Sequence, residues 1–205
     1  MREIQRYSDS DRIKHWTVAL LFILAGLSGL AFFHPAFYFF TNLFGGGPWT
    51  RILHPFLGLA MVIAFAVLFV RMQAENRMTA VDREWTRNAG KLIRGHEEAM
   101  PPQHKYNAGQ KWVFWIISGC LLVLLVTGFL FWRPWFAGYF PIVVVRIGVL
   151  LHAIAAFVLV LTIIVHVYAA IWVKGSVRAM TRGTVSEDWA RKHHALWHRE
   201  MTQGK

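Results

Sequence analysis

The chain has 205 residues, enough for one compact bundle and too few for two ordinary soluble domains. It is 56% hydrophobic with a mean hydropathy of +0.39, which points to a lipid bilayer rather than to a water-soluble core. The net charge of +11 would suit nucleic acid, but the basic residues are distributed in a way that excludes nucleic acid as a partner. Of 22 Lys and Arg, four precede Trp16, eight lie between Arg71 and Lys111, and seven follow Val173. Only Arg51, Arg133 and Arg146 fall elsewhere, the one-sided pattern of a membrane protein with its positive loops inside.

Four uncharged apolar stretches predict spans over residues 16–33, 52–70, 112–132 and 147–173, since about twenty such residues cross a hydrocarbon core of about 30 Å. The expected fold is all-α: an integral membrane four-helix bundle forming a single domain over residues 1–205. The charge bias puts both termini, the loop 71–111 and the tail 174–205 on the cytoplasmic side. The first span exceeds the usual apolar run of a cleavable signal peptide, and no A-x-A site follows it. Cys120, in the third span, is the chain's only cysteine and reads as a small packing residue.

In chain order, the first outer connection carries Pro35, Gly45-Gly46-Gly47 and Pro48, residues that stop helices and make turns. The inner loop interleaves Val81, Trp85, Leu92 and Ile93 with Arg83, Arg87, Lys91 and Arg94. That is a basic amphipathic helix, suited to an anionic lipid leaflet or simply to solvent. The second outer connection holds Pro134 and Pro141, and Trp132, Trp135 and Tyr139 suit an interfacial aromatic belt. The fourth span is uncharged from Arg146 to Lys174, about 40 Å of helix, so it tilts or projects beyond the lipid. The tail from Ser186 to Glu200 reads as a helix, with Glu187 and Asp188 near its start favouring the macrodipole. Trp189, Leu196 and Trp197 are placed to dock on the bundle or on another subunit. No internal repeat or low-complexity segment is visible.

Four histidines carry the chemistry. His152 and His166 share the fourth span, and their fourteen-residue spacing is a rise of about 21 Å on nearly one face. His15 starts the first span at its inner end and His54 starts the second at its outer end. Topology therefore pairs His54 with His152 and His15 with His166. Two neutral imidazoles fill both axial positions of a haem iron and confine it to one-electron transfer. Gly26, Gly29, Gly58, Gly148, Ala155 and Ala156 leave room for a flat macrocycle. A hydrogen-bonded packing role is the alternative for any one histidine, although ionisable groups inside a membrane are usually functional. A transporter is disfavoured because no carboxylate lies inside a span. His34, His96, His104, His193, His194 and His198 read as surface residues. Arg51, Arg133 and Arg146 are candidate partners for haem propionates, since guanidinium binds carboxylates bidentately; simple interfacial anchoring is the alternative.

The segments Arg12–Trp16 (RIKHW), Arg51–Phe56 (RILHPF), Tyr106–Lys111 (YNAGQK), Trp132–Phe136 (WRPWF), His166–Ser176 (HVYAAIWVKGS) and Trp189–His194 (WARKHH) resemble the cytochrome b (gamma) subunit of membrane-bound respiratory formate dehydrogenases. The resemblance covers nearly the whole chain. It implies two haem b groups with the same histidine pairings as iron ligands. It also implies a quinone site, for menaquinone or ubiquinone, at Asn107, Gly109 and Gln110 with His166 nearby. Amide side chains there donate to a quinone carbonyl or accept from a quinol hydroxyl, and glycine allows close approach. Without the resemblance, residues 107–110 read as an ordinary helix start.

The implied partners are an iron–sulfur beta subunit and, through the complex, a molybdenum or tungsten pterin alpha subunit that oxidises formate. The heterotrimer is expected to form a higher oligomer in the bacterial inner membrane. The chain has no cysteine cluster, so formate chemistry lies on another subunit. The cytochrome b subunit of a nickel–iron hydrogenase is a related alternative, but the segments around Tyr106–Lys111 and Trp172–Ser176 favour formate dehydrogenase. A haem-free membrane anchor or transporter is the alternative from another class. Two departures from the family pattern stand out: Trp135 where tyrosine is common, and Ala195-Leu196 where Pro-Arg usually follows the two histidines.

Overall fold

A computed structural model describes residues 2–96, 100–133 and 135–203. Pro134 lies outside the described residues, as does the side chain of Ile93. Strand β1 is Glu3–Gln5, followed by α1 (Asp9–Phe33), a 3₁₀ helix (Pro35–Phe44) and α2 (Gly47–Met72). Helix α3 (Ala80–Ile93), α4 (Ala108–Phe131), a short 3₁₀ turn (Ala137–Tyr139) and α5 (Ile142–Trp172) come next. The tail forms α6 (Ser176–Arg182), β2 (Thr184–Ser186), α7 (Glu187–His193) and α8 (Ala195–Gln203).

Among the described residues, α1, α2, α4 and α5 are long and apolar enough to cross a membrane. In the most apolar part of each, 17–22% of residues are buried. Such apolar exposure would drive aggregation in water and suits helices that face hydrocarbon. The chain is a multi-pass membrane protein. Its helices outrun the apolar runs that predicted them because polar caps extend them. Ser8 opens α1, with its Oγ accepting from Asp11 N at 3.2 Å while Asp11 Oδ2 accepts from Ser8 N. Thr79 and Asp82 form the same reciprocal box at the start of α3. Pro48 suits the first turn of α2, whereas Pro55 sits inside that helix directly after His54.

The chain divides into two compact units. The first comprises Met1–Arg12, Arg71–Trp115 and Val165–Lys205. Its core is Tyr7, Tyr106, Ala179, Val185, Ala190 and Trp197. Here β1 pairs antiparallel with β2, Ile4 opposite Val185, so the N-terminus is stitched to the tail. Gly183 makes the turn into β2 at φ +82°, and a Cβ there would come within 2.8 Å of the Tyr7 carbonyl oxygen. Glu3-Ile4-Gln5 and Thr184-Val185-Ser186 alternate, but three residues are too few to give a sequence signal, so this pairing is not legible in the chain. The second unit comprises Ile13–Val70 and Ile116–Ile164, with Ala25, Ser28, Met61, Phe65, Thr127, Ala155 and Leu159 among its buried residues.

Several expectations need correction. The tail is not one helix: it breaks at His194, whose φ of −141° and ψ of 57° are not helical. Trp189 and Trp197 dock within the chain's own first unit, around Arg6. Residues 35–44 are not a plain turn-rich connection but a 3₁₀ helix opened by Pro35, with Nδ1 of His34 accepting from Ala36 N. Trp135 and Tyr139 are exposed, as a lipid-interface belt requires. Trp132 instead packs edge-on against Phe56 at 5.2 Å.

Candidate functional site

The second unit brings His54 and His152 close together. Their ring centres are 6.3 Å apart and the rings are inclined at 72°. Two metal–imidazole bonds of about 2 Å each, with half a ring at either end, span about 6 Å between ring centres. The separation therefore matches two ligands on opposite sides of one iron. His54 comes from α2 and His152 from α5.

Each imidazole is oriented by a hydroxyl from a third or fourth helix. Ser28 Oγ, on α1, lies 2.9 Å from His54 Nδ1 and donates its own hydrogen to the Ala25 carbonyl, also at 2.9 Å. Thr127 Oγ1, on α4, lies 2.9 Å from His152 Nδ1 and donates to the Val123 carbonyl at 2.6 Å. A hydroxyl has one hydrogen, and here the backbone takes it, so each oxygen accepts from Nδ1–H. Both rings are thereby held as the tautomer whose Nε2 lone pair is available to a metal.

Each hydroxyl is followed by a glycine that makes room for the ring. A Cβ on Gly29 would sit 3.1 Å from His54 Cε1, and one on Gly128 would sit 3.5 Å from His152 Cε1. The hydroxyl and its histidine are 26 residues apart in the first case and 25 in the second. This is a recurrence of geometry that the sequence did not suggest. It is carried by two short pairs, Ser28-Gly29 and Thr127-Gly128, rather than by a similar stretch. A hydroxyl–glycine pair about 25 residues before a span histidine was the available signal.

The cradle for a flat group is partly as expected. Cβ atoms at Gly26 and Gly58 would meet nothing within 4 Å. Gly26 lies one turn before Gly29 on the same face of α1, and Gly58 one turn after His54 on α2. Gly148 is a correction: a Cβ there would meet Leu130 at 3.1 Å, so it serves helix packing, and Ala155 is buried. Among the described residues, no group of three or more His, Cys, Asp and Glu is placed to hold a bare metal ion. A haem iron asks only two donors of the protein, because the porphyrin supplies the rest.

His15, half-buried on α1 with its ring edge-on to Trp16 at 5.2 Å, belongs to the second unit. His166, half-buried on α5, belongs to the first. Asn107, Gly109 and Gln110 also belong to the first unit and form the entry to α4. Asn107 Oδ1 accepts from Gln110 N at 2.9 Å, and Gln110 Oε1 accepts from Asn107 N at 3.0 Å. Both side-chain oxygens are thus committed to a capping box. The helix-start reading holds for the oxygens, and the amino groups are what remain for a ligand. A Cβ on Gly109 would lie 3.2 Å from the Trp85 ring, so glycine lets α3 approach closely. Lys111, next in line, is buried and pairs with Asp82 at 2.7 Å.

Arg51, Arg133 and Arg146 are all exposed, and the Arg51 guanidinium lies 5.8 Å from the centre of the Phe32 ring. His194 is the clearest correction among the minor histidines. It is not a surface residue but 3% exposed, with Nδ1–H donating to the His104 carbonyl at 2.6 Å and Nε2 accepting from Arg6 at 3.2 Å. The neighbouring His193 and His198 are half-buried, against Trp189 and Glu187 respectively. His34 and His96 are exposed as expected, and His104 pairs with Glu200 at the surface.

A helical membrane bundle that sets two imidazoles 6.3 Å apart, each with its Nδ1 engaged by a hydroxyl, fits the b-type cytochrome class. Residues 6–183 match the family of prokaryotic cytochrome b561, and the chain belongs to that family. It is 45% identical over 195 residues to the nitrate-inducible formate dehydrogenase cytochrome b556(Fdn) subunit of Escherichia coli K12, covering 95% of this chain and 90% of that one. It is 43% identical over 198 residues to the formate dehydrogenase cytochrome b556(fdo) subunit of the same organism, covering 97% and 93%. The formate dehydrogenase cytochrome b556 subunit of Haemophilus influenzae is 40% identical over 202 residues, covering 98% and 85%. The resemblance read from the short motifs is borne out, and with it the class of b-type cytochrome.

Proposed function

We propose that this chain is the dihaem cytochrome b subunit of a membrane-bound formate dehydrogenase, carrying electrons across the inner membrane to quinone. The observation that carries the reading is the opposition of His54 and His152 at 6.3 Å with both Nδ1 atoms engaged. The near full-length identity with formate dehydrogenase cytochrome b556 subunits favours formate over hydrogen as the source of electrons. Haem b, held by His54 and His152, would supply reversible one-electron chemistry.

By the charge rule His54 and His152 would hold the outer group, and the family resemblance supports His15 and His166 as ligands of an inner one. Arg51, Arg133 and Arg146 are the cations available to outer propionates. Asn107 and Gln110 offer amide N–H groups to a quinone carbonyl near the cytoplasmic face, with Gly109 and His166 beside it. Their oxygens are occupied, so these residues donate rather than accept. The positive-inside bias supports cytoplasmic termini, and the exposed Arg83, Arg87 and Lys91 on α3 suit anionic lipid headgroups. An iron–sulfur subunit on the outer side delivers electrons that a molybdenum or tungsten pterin subunit takes from formate, and heterotrimers associate further.

Electrons moving inward through this path work against about 2.3 kcal/mol per 100 mV of membrane potential. The intact complex in oriented vesicles should therefore generate a potential when formate reduces a lipid quinone. Turnover without charge separation would put the quinone site on the wrong side.

A further inference from the structure

We infer that Ser28 and Thr127 are positioning residues for the iron ligands His54 and His152, and that their hydroxyls set the reduction potential of the group held between those histidines. The inference rests on the haem reading above and goes beyond it, because neither residue touches the iron. Three observations carry it. Both hydroxyls lie at the same 2.9 Å from the Nδ1 of their histidine. Both are buried, Ser28 fully and Thr127 to 4% exposure, so no water competes for the imidazole N–H. Both spend their own hydrogen on the carbonyl of their own helix, at 2.9 Å and 2.6 Å, which leaves the oxygen only as an acceptor.

The consequence is electronic as well as geometric. An imidazole that donates Nδ1–H to an acceptor becomes a more basic ligand at Nε2. A more basic ligand stabilises ferric over ferrous iron and lowers the potential. The hydroxyls also fix ring rotation, since Gly29 and Gly128 leave each ring a slot with no Cβ in it. Hydroxyl, glycine and histidine recur at nearly the same spacing on both sides, so the two imidazoles would be tuned alike as iron ligands. Removing one hydroxyl should raise the potential, and removing both should raise it further.

The test uses the whole complex carrying Ser28→Ala, Thr127→Val or both, with Thr127→Ser as the variant that keeps the hydroxyl. Haem content is measured first, then the midpoint potentials by optical redox titration of the α band. Thr127→Val keeps the shape of the side chain, so packing is preserved while the acceptor is lost. The expected result is two haems per chain, an upward shift confined to one of them, and a Thr127→Ser potential at the wild-type value. In the double variant the shift should reach tenfold in the one-electron equilibrium, about 59 mV. Full haem content with unmoved potentials in all variants would overturn the inference and leave the haem reading standing. Complexes carrying His54→Ala or His152→Ala that each retain every haem would instead overturn the haem reading itself.

Discussion

Arg6 donates to Nε2 of His194 across 3.2 Å, and both side chains are buried, at 5% and 3% exposure. The contact ties the residue after β1 to the break between α7 and α8. The Arg6 guanidinium lies 5.0 Å from the centre of the Trp189 ring and 5.1 Å from that of Trp197, so the tail closes around a cation held by aromatic faces. Because Arg6 can only donate, His194 must be neutral with its proton on Nδ1. A second proton on His194 would set N–H against N–H.

Acid should therefore loosen the tail. Burial first, and then the adjacent Arg6 and His193 charges, push the His194 imidazole down to about 3, partly offset by the bond to the His104 carbonyl. The unfolded chain, with an ordinary imidazole at about 6.5, binds a proton that the folded chain refuses. The stabilisation is complete above pH 6.5 and is lost as pH falls toward 3. At pH 5 the loss is about 2 kcal/mol. Thermal unfolding of the detergent-solubilised protein at pH 7.5 and pH 5 measures it, and His194→Gln should flatten that difference.

Lys111 and Asp82 form a second buried contact with a sharper penalty. Their side chains are 2% and 1% exposed at 2.7 Å, and Asp82 also accepts from Thr79 N and Oγ1. Burial would raise the Asp82 carboxyl, but the bonds from Lys111 and Thr79 overcome it and hold it below its usual range. Lys111→Met strands that carboxylate and should destabilise the protein by about 3–5 kcal/mol. Adding Asp82→Leu should recover much of the loss. A melting temperature for the double variant as low as for Lys111→Met would show that the pair is not what matters there.

Quinone reduction should depend on the amide N–H groups at the start of α4. Asn107→Asp and Gln110→Glu keep the oxygens of the capping box and remove the donors. Both should slow quinone reduction at least tenfold while formate still reduces the haems. The reading is wrong if steady-state quinone rates are unchanged.

The four spans and the proximity of His54 to His152 could be read from the chain because both follow from simple periodicities. Twenty apolar residues specify a span whatever they pack against, and charge bias orders the loops. The orienting hydroxyls could not be read in this way. Serine and threonine inside a span bond most often to their own helix, and Ser28 and Thr127 do that as well as accepting from histidine. Their second role depends on which helix lies opposite, information that sits 25 and 26 residues away. His194 misled for a related reason. A histidine beside Lys192 and His193 in a basic tail reads as solvated, and it is enclosed by distant residues, Arg6 and the His104 carbonyl among them. The break in the tail helix at His194 follows from the same contacts, since Leu196 N and Trp197 N both bond to the Gln103 carbonyl.

The most direct measurement of the central claim is haem content and midpoint potential in four complexes, each with one histidine changed to alanine. His54→Ala and His152→Ala should remove the same haem, and His15→Ala and His166→Ala the other, leaving one haem per chain in every variant. Loss of the same haem from His54→Ala and His166→Ala, or retention of both haems in His152→Ala, would contradict the account.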